Sequence, residues 1–307
     1  MSVEKYFSHL ISIHLKSQKM EVSELLKKVR KIEIKTKGLT NHIFSGEYHS
    51  AFKGRGMSFS EVREYQYGDD IRNIDWNVTA RFQHPYVKIF EEERELTIML
   101  LIDVSKSSFI GTQNQLKNEI IAEIAGVLAF SAIQNNDKVG VLFFSDAIEM
   151  YIPPKKGKSH ILRIIREIIN FEPKSNKTNI SLALENFNNM VKRKSIAFIL
   201  SDFIDENYAD ELRHIAKKHD VVGVKVYDNL DMELPNIGLL QIQDVETGET
   251  KWIDTNDAQT QKNYKQRAVF YDKNYEQSFI KAGADKLKIK TEQSYVHVLM
   301  NFFKKRA

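Results

Sequence analysis

From residue 96 onward the apolar residues follow two alternating rhythms. Short, nearly continuous apolar runs at 96–102, 138–144, 195–200 and 221–227 have the length and two-sided hydrophobicity of strands covered by helices on both faces. Between them apolar residues recur every three to four positions, which predicts helices near 114–133, 159–169, 180–191 and 208–218. This alternation predicts an α/β fold, a doubly wound, mostly parallel, Rossmann-like sheet flanked by helices. Ser145-Asp146-Ala147 reads as a tight turn into a short edge strand at 148–152, ended by Pro153-Pro154. Further on, a hairpin of residues 239–245 and 250–254 surrounds Glu246-Thr247-Gly248-Glu249, followed by a long helix near 257–282, a strand at 286–290 and a closing helix at 294–304.

The first third has a different texture. Leu25, Leu26, Val29 and Ile32 fall at helical spacing with basic residues between them, which predicts an amphipathic helix over 21–34 that docks on another surface. Residues 38–95 are rich in glycine, aromatic and charged residues and show no long helical period, so short strands and loops are expected. The division that follows is an N-terminal helix plus short-strand segment, 1–95, packed on an α/β domain, 96–307, with a hairpin insertion at about 238–254. No internal repeat or low-complexity linker interrupts it.

Composition narrows the chemistry. The chain has 307 residues, 42% of them hydrophobic, enough to bury a full core. It has no cysteine, which removes disulfides, thiolate metal ligands and cysteine nucleophiles together. A net charge of +4 does not by itself imply nucleic acid. The basic run Lys27, Lys28, Arg30, Lys31, Lys35 and Lys37 has no aromatic platform between its charges, so a solvated helix face is the favoured reading. No stretch approaches the ~20 apolar residues of a membrane span, and Glu4, Lys5 and His9 break the apolar region a signal peptide needs. A cytoplasmic protein is expected.

The strand at 96–102 runs into Asp103-Val104-Ser105-Lys106-Ser107. Ligands of open α/β sheets bind beyond the strands' carboxyl ends, and one carboxylate with two alternate hydroxyls on a tight loop suits a small hard cation such as Mg²⁺. A capped turn before a helix is the alternative. The strand at 195–200 ends in Ser201-Asp202, whose carboxylate stands beside the first loop if the strands are neighbours. Thr178, just before a predicted helix, is on a loop that can reach the same place.

Asp-x-Ser-x-Ser, a distant Thr and a strand-terminal Asp in this order resemble the metal-ion-dependent adhesion site of von Willebrand factor A (vWA) domains. The resemblance implies Ser105, Ser107 and Thr178 as direct ligands of Mg²⁺ or Mn²⁺, with Asp103 and Asp202 acting largely through water. It further implies an open coordination position for a partner's Asp or Glu. Phe203 departs from the glycine many such domains carry after the aspartate, and a bulky side chain there is expected to narrow access or change the loop. The segment Gly54-Arg55-Gly56-Met57-Ser58-Phe59-Ser60-Glu61, then Gly68-Asp69-Asp70-Ile71-Arg72-Asn73-Ile74-Asp75-Trp76 and Ala80-Arg81, resembles the signature of the bacterial domain of unknown function 58. That likeness covers about residues 45–303 and implies a protein partner, the MoxR-type AAA+ ATPases being the class with which such proteins are often associated, in assembly, remodelling or stress tolerance.

The mixed charges of that segment favour Arg–carboxylate pairs. They read as a network locking it onto the sheet, with Trp76 and Phe59 as anchors, or as a recognition surface. Other motifs fail on spacing. Gly157-Lys158-Ser159 lacks the glycine a phosphate loop needs at position 152, where Ile152 stands, so Ser159 reads as a helix cap. The run from Asp202 lacks the glycine and terminal Glu of a calcium loop, and the pairs His9/His14 and His214/His219 are five apart, not four. Two function classes remain, a non-enzymatic, metal-dependent protein-interaction module, which is favoured, and a Mg-dependent hydrolase of phosphate esters, beside the blander option of a metal-free scaffold that kept the fold and lost the site.

Overall fold

The computed structural model describes residues 56–93, 96–105, 117–175, 177–243 and 250–306, and Arg30. The predicted helix over 21–34, Gly54, Arg55, Ser107 and the turn at 246–249 lie outside the described residues, except that Arg30 is helical and exposed.

Six strands form the central sheet. β3 (Thr97–Asp103), β4 (Lys138–Phe144), β6 (Ile196–Ser201), β7 (Asp220–Tyr227) and β10 (Asp285–Lys290) run parallel, and β5 (Ile148–Lys155) pairs antiparallel with β4. Their order is β10-β7-β6-β3-β4-β5. Alternate residues of β3 feed opposite layers, as strand geometry requires. Ile98, Leu100 and Ile102 pack under α2 (Lys117–Gln134), α3 (Lys158–Asn170) and α8 (Tyr295–Arg306). Met99 and Leu101 pack under α4 (Ile180–Met190), α5 (Ala209–Ala216) and α7 (Ala258–Ala282). The doubly wound, mostly parallel sheet flanked by helices is therefore the observed architecture. On β7, Gly223 admits the Phe279 ring so closely that a Cβ there would lie 2.3 Å from it.

Local punctuation differs from expectation at two places. Pro153 and Pro154 lie inside β5 instead of ending it, which an edge strand tolerates because one of its sides needs no ladder partner. Ser159 is not the cap of α3: the helix begins at Lys158, and Gly157 takes the cap position at φ 102°, with no side-chain hydrogen bond. The predicted hairpin is present as β8 (Leu239–Gln243) paired with β9 (Thr250–Asp254), and a four-residue helix α6 (Asn229–Met232) follows β7.

The segment before the sheet is a ribbon of β1 (Gly56–Glu64) and β2 (Tyr86–Glu93). It encloses a 3₁₀ turn (Ile71–Asn73) and a short helix, α1 (Trp76–Phe82), where only strands and loops were expected. Aspartates build it: Asp70 accepts from the Arg72 N–H at 3.0 Å, and Asp75 accepts from the N–H groups of Asn77 and Val78 at 3.0 and 3.2 Å. Arg63 forks onto Asp69 with two bonds of 2.8 Å. The expected locking network holds only in part, because these described pairs stay within the segment. Trp76 is not an apolar anchor, being 70% exposed, and Arg72, 3.8 Å from Asp70, is exposed too. The Phe59 side chain lies outside the described residues.

Candidate functional site

The register pairs Ile102 of β3 with Leu200 of β6, so the residues that follow, Asp103 and Ser201, come level at the sheet's carboxyl end. Ser201 donates its hydroxyl to Asp103 Oδ2 at 2.6 Å, and the Ser105 backbone N–H donates to Oδ1 at 2.9 Å. The Ser105 side chain adds a further bond to the same carboxyl. All three residues are buried. Burial, and after it the neighbouring charge of Asp202, pushes the Asp103 pKa up to about 7 against the pull of these hydrogen bonds.

Asp202 is equally buried. Its Oδ1 accepts from the Ile204 N–H at 3.3 Å, and its Oδ2 faces the Lys117 ammonium at 3.5 Å. Phe203 takes φ 55°, the left-handed region that ordinarily favours glycine, at a cost of about 1–2 kcal/mol. Its ring is buried against Tyr208, Tyr275 and Phe279, which offsets that cost. The expected narrowing of access does not occur, since the ring is part of the core beneath α7.

Thr178 is half-buried on the loop entering α4. Its neighbours pin that loop to the same end of the sheet: the Asn179 N–H donates to the Ser145 carbonyl just beyond β4, and the Ile180 N–H donates to Asp205 Oδ2 at 2.7 Å. The structure thus joins Asp103 and Ser105 directly and places Asp202 beside them, whereas Thr178 makes no described hydrogen bond to the three. Among the described residues no group of three or more His, Cys, Asp or Glu side chains is placed to hold a metal. A cation here would depend on hydroxyl oxygens.

Sequence reasoning missed three members of this cluster. Ser201 bridges Asp103 and the Phe203 N–H, the latter at 3.0 Å. Lys117, 1% exposed, puts its ammonium 2.6 Å from Asp231 Oδ2 and 2.7 Å from Oδ1. Asp231 belongs to a capping box in which the Asp228 N–H donates to it at 2.7 Å. A signal existed for Lys117, because it falls in phase with the buried Ile120, Ile121 and Ile124 of α2. The Asp-x-x-Asp spacing after a strand was the corresponding sign of the box.

The family described as protein of unknown function DUF58 matches residues 61–273, well over half of the chain. The chain belongs to that family. An uncharacterized protein of Mycobacterium bovis is 27% identical over 281 residues, covering 91% of this chain and 88% of its own length. Among solved structures, an aerotolerance-related membrane protein from Bacteroides fragilis is similar with a TM-score of 0.46 and 14% identity, over 68% of this chain and 99% of that one. The SpRpn10 VWA domain is similar with a TM-score of 0.35 and 9% identity, over 69% of this chain and 95% of that domain. Among the described residues, no helix of this DUF58 chain is long and apolar enough to cross a membrane.

Proposed function

We propose that the carboxyl-end cleft holds one divalent cation, Mg²⁺ or Mn²⁺, through Asp103, Ser105, Ser107, Thr178 and Asp202, and that the chain is a vWA-type protein-interaction module. The supporting observation is a charge imbalance in a buried place. Lys117 puts its one ammonium between Asp202 and Asp231, and Asp103, buried beside Asp202, is raised by burial and by that neighbour's charge, while Lys225 nearby is engaged by Asp272 at 3.2 Å. A buried carboxyl with no compensating charge either keeps its proton or meets a cation, and the hydroxyls beside Asp103 are oxygen donors of the kind a hard cation accepts.

When bound, the cation supplies an electrophilic position that a partner's Asp or Glu completes. The chain's own residues prepare that position. Asp103 orients the Ser105 backbone, Ser201 ties Asp103 to the next strand, and the buried Phe203 ring fixes the loop carrying Asp202. The partner class implied by the family resemblance is a MoxR-type AAA+ ATPase, for which this chain acts as adaptor in protein assembly, remodelling or stress tolerance. The phosphoesterase alternative has less support. His160 and His219, two bases that hydrolysis could recruit, bond to Val139 and Ser195 at the amino end of the sheet.

Affinity capture of partners from the native cell, with Mg²⁺ and with EDTA, tests the proposal. Capture is expected to disappear with EDTA, return with Mg²⁺ and be absent in Asp103→Ala. Capture that Asp103→Ala leaves unchanged rules the bridge out, and phosphoester hydrolysis that vanishes in Asp202→Ala replaces it with the enzyme reading.

A further inference from the structure

We infer that Lys117 is a resident counter-ion of the cleft that lowers its divalent affinity, and that Asp231 is the anchor drawing Lys117 aside. The inference rests on the divalent site proposed above and assigns how its affinity is set.

Among the described residues Lys117 has two acidic partners, held unequally. Asp231 receives its ammonium at 2.6 and 2.7 Å, whereas Asp202 stands 3.5 Å away, at the limit of a hydrogen bond. The two acids also differ in mounting. Asp231 is fixed in a turn whose Asp228 accepts from the Leu230 N–H at 3.0 Å and from the Thr291 hydroxyl at 2.7 Å, and the Tyr264 hydroxyl donates to the Leu230 carbonyl. Asp202 lies on the loop after β6, next to Asp103. A monocation and a dication therefore compete for Asp202, and one of them is covalently attached to α2. A fixed positive charge this close opposes a second cation more strongly than it would in water, because the cluster is buried.

A merely structural role for Lys117 makes a different forecast. If the lysine only neutralises buried acids, removing it or its anchor disturbs the cleft, and both changes weaken metal binding. A resident counter-ion gives opposite signs. Lys117→Gln keeps an amide donor for Asp231 and removes the charge, so Mg²⁺ and Mn²⁺ should bind at least about tenfold tighter. Asp231→Asn removes the anchoring charge and leaves Lys117 to Asp202, so both ions should bind about tenfold more weakly.

Titration calorimetry of the full chain with MgCl₂ and MnCl₂ reads these constants. If Lys117→Gln folds only with metal present, the midpoint of its Mn²⁺-dependent refolding gives the same quantity. Tighter binding in Lys117→Gln together with weaker binding in Asp231→Asn supports the counter-ion. Equal or weaker binding in Lys117→Gln, beside a wild type that binds, overturns it and leaves the metal site standing. A wild type that binds neither ion overturns both.

Discussion

Two regions of this molecule are rich in aspartate, and they treat the residue in opposite ways. In the ribbon before the sheet, Asp69 is held below the usual carboxylate range by the fork of Arg63 and then by the Gln66 N–H. Asp75 is lowered in the same region, first by the Val78 N–H that it caps. At the carboxyl end of the sheet, Asp103 is raised instead, by burial and by Asp202. The ribbon pairs its carboxylates with local donors, the Arg63 fork and nearby backbone N–H groups. The cleft gathers more carboxylates than its own ammonium can answer. A family signature dense in charge can therefore be architectural, while the carboxyl whose pKa is raised lies among a few buried polar side chains elsewhere.

The contrast can be broken most forcefully through the aromatic residues of the two regions. Phe203→Ala should cost about 3–5 kcal/mol, as for other buried aromatics, whereas Trp76→Ala should stay within about 0.5 kcal/mol as a surface change. Chemical denaturation of the two variants measures both, and equal costs would mean that the ribbon is packed as tightly as the cleft.

Burial that raises an acid must lower a base, and His219 offers that check. It is buried at the opposite end of the sheet with its Nδ1 2.9 Å from the Ser195 hydroxyl, and burial brings its pKa down to about 4. The unfolded chain binds a proton near pH 6.5 that the folded chain refuses until about pH 4, so this contribution to stability falls as pH drops through that window. Between pH 7 and pH 4 wild type should lose about 3 kcal/mol relative to His219→Gln. Taking the difference cancels the opposite trend of Asp103, whose raised pKa makes the metal-free fold gain stability as pH falls from about 7.

Metal removal comes next in size. At a Mg²⁺ concentration a hundred times its dissociation constant, wild type should be stabilised by about 2.7 kcal/mol, and Asp103→Asn should lose that increment while being no less stable in EDTA. Thermal melts with and without Mg²⁺ decide it, and a variant that still responds to Mg²⁺ removes Asp103 from the site. The smallest effect is expected at the ribbon's cap, where Asp75→Ala should lower the melting temperature on the order of 2 °C, with or without metal.

The elements after residue 96 were legible because their periodicity records which faces are buried. Residues 138–144 and 180–190 are strand and helix with buried patterns that match their apolar spacing. Helix α1 was not legible for the converse reason: Trp76 and Phe82 face solvent, so no apolar stripe marks it, and only its Asp75 cap gives it away. In the cleft, Asp103, Ser105 and Asp202 could be brought together on paper because each ends or follows a recognisable strand. Lys117 and Asp231 could not, since their pairing joins residues 114 apart in the chain. Contacts of that kind depend on the path of the whole fold and leave no local period.

The two prolines within β5 carry a consequence for how copies of this chain behave together. β5 is the outermost strand on its side, and Pro153 and Pro154 withdraw two successive amide hydrogens where its pairing with β4 is also irregular. A foreign strand approaching that margin finds no unbroken row of donors to copy. Among the described strands, the edge on the β4 side is therefore a poor template for pairing with a second copy.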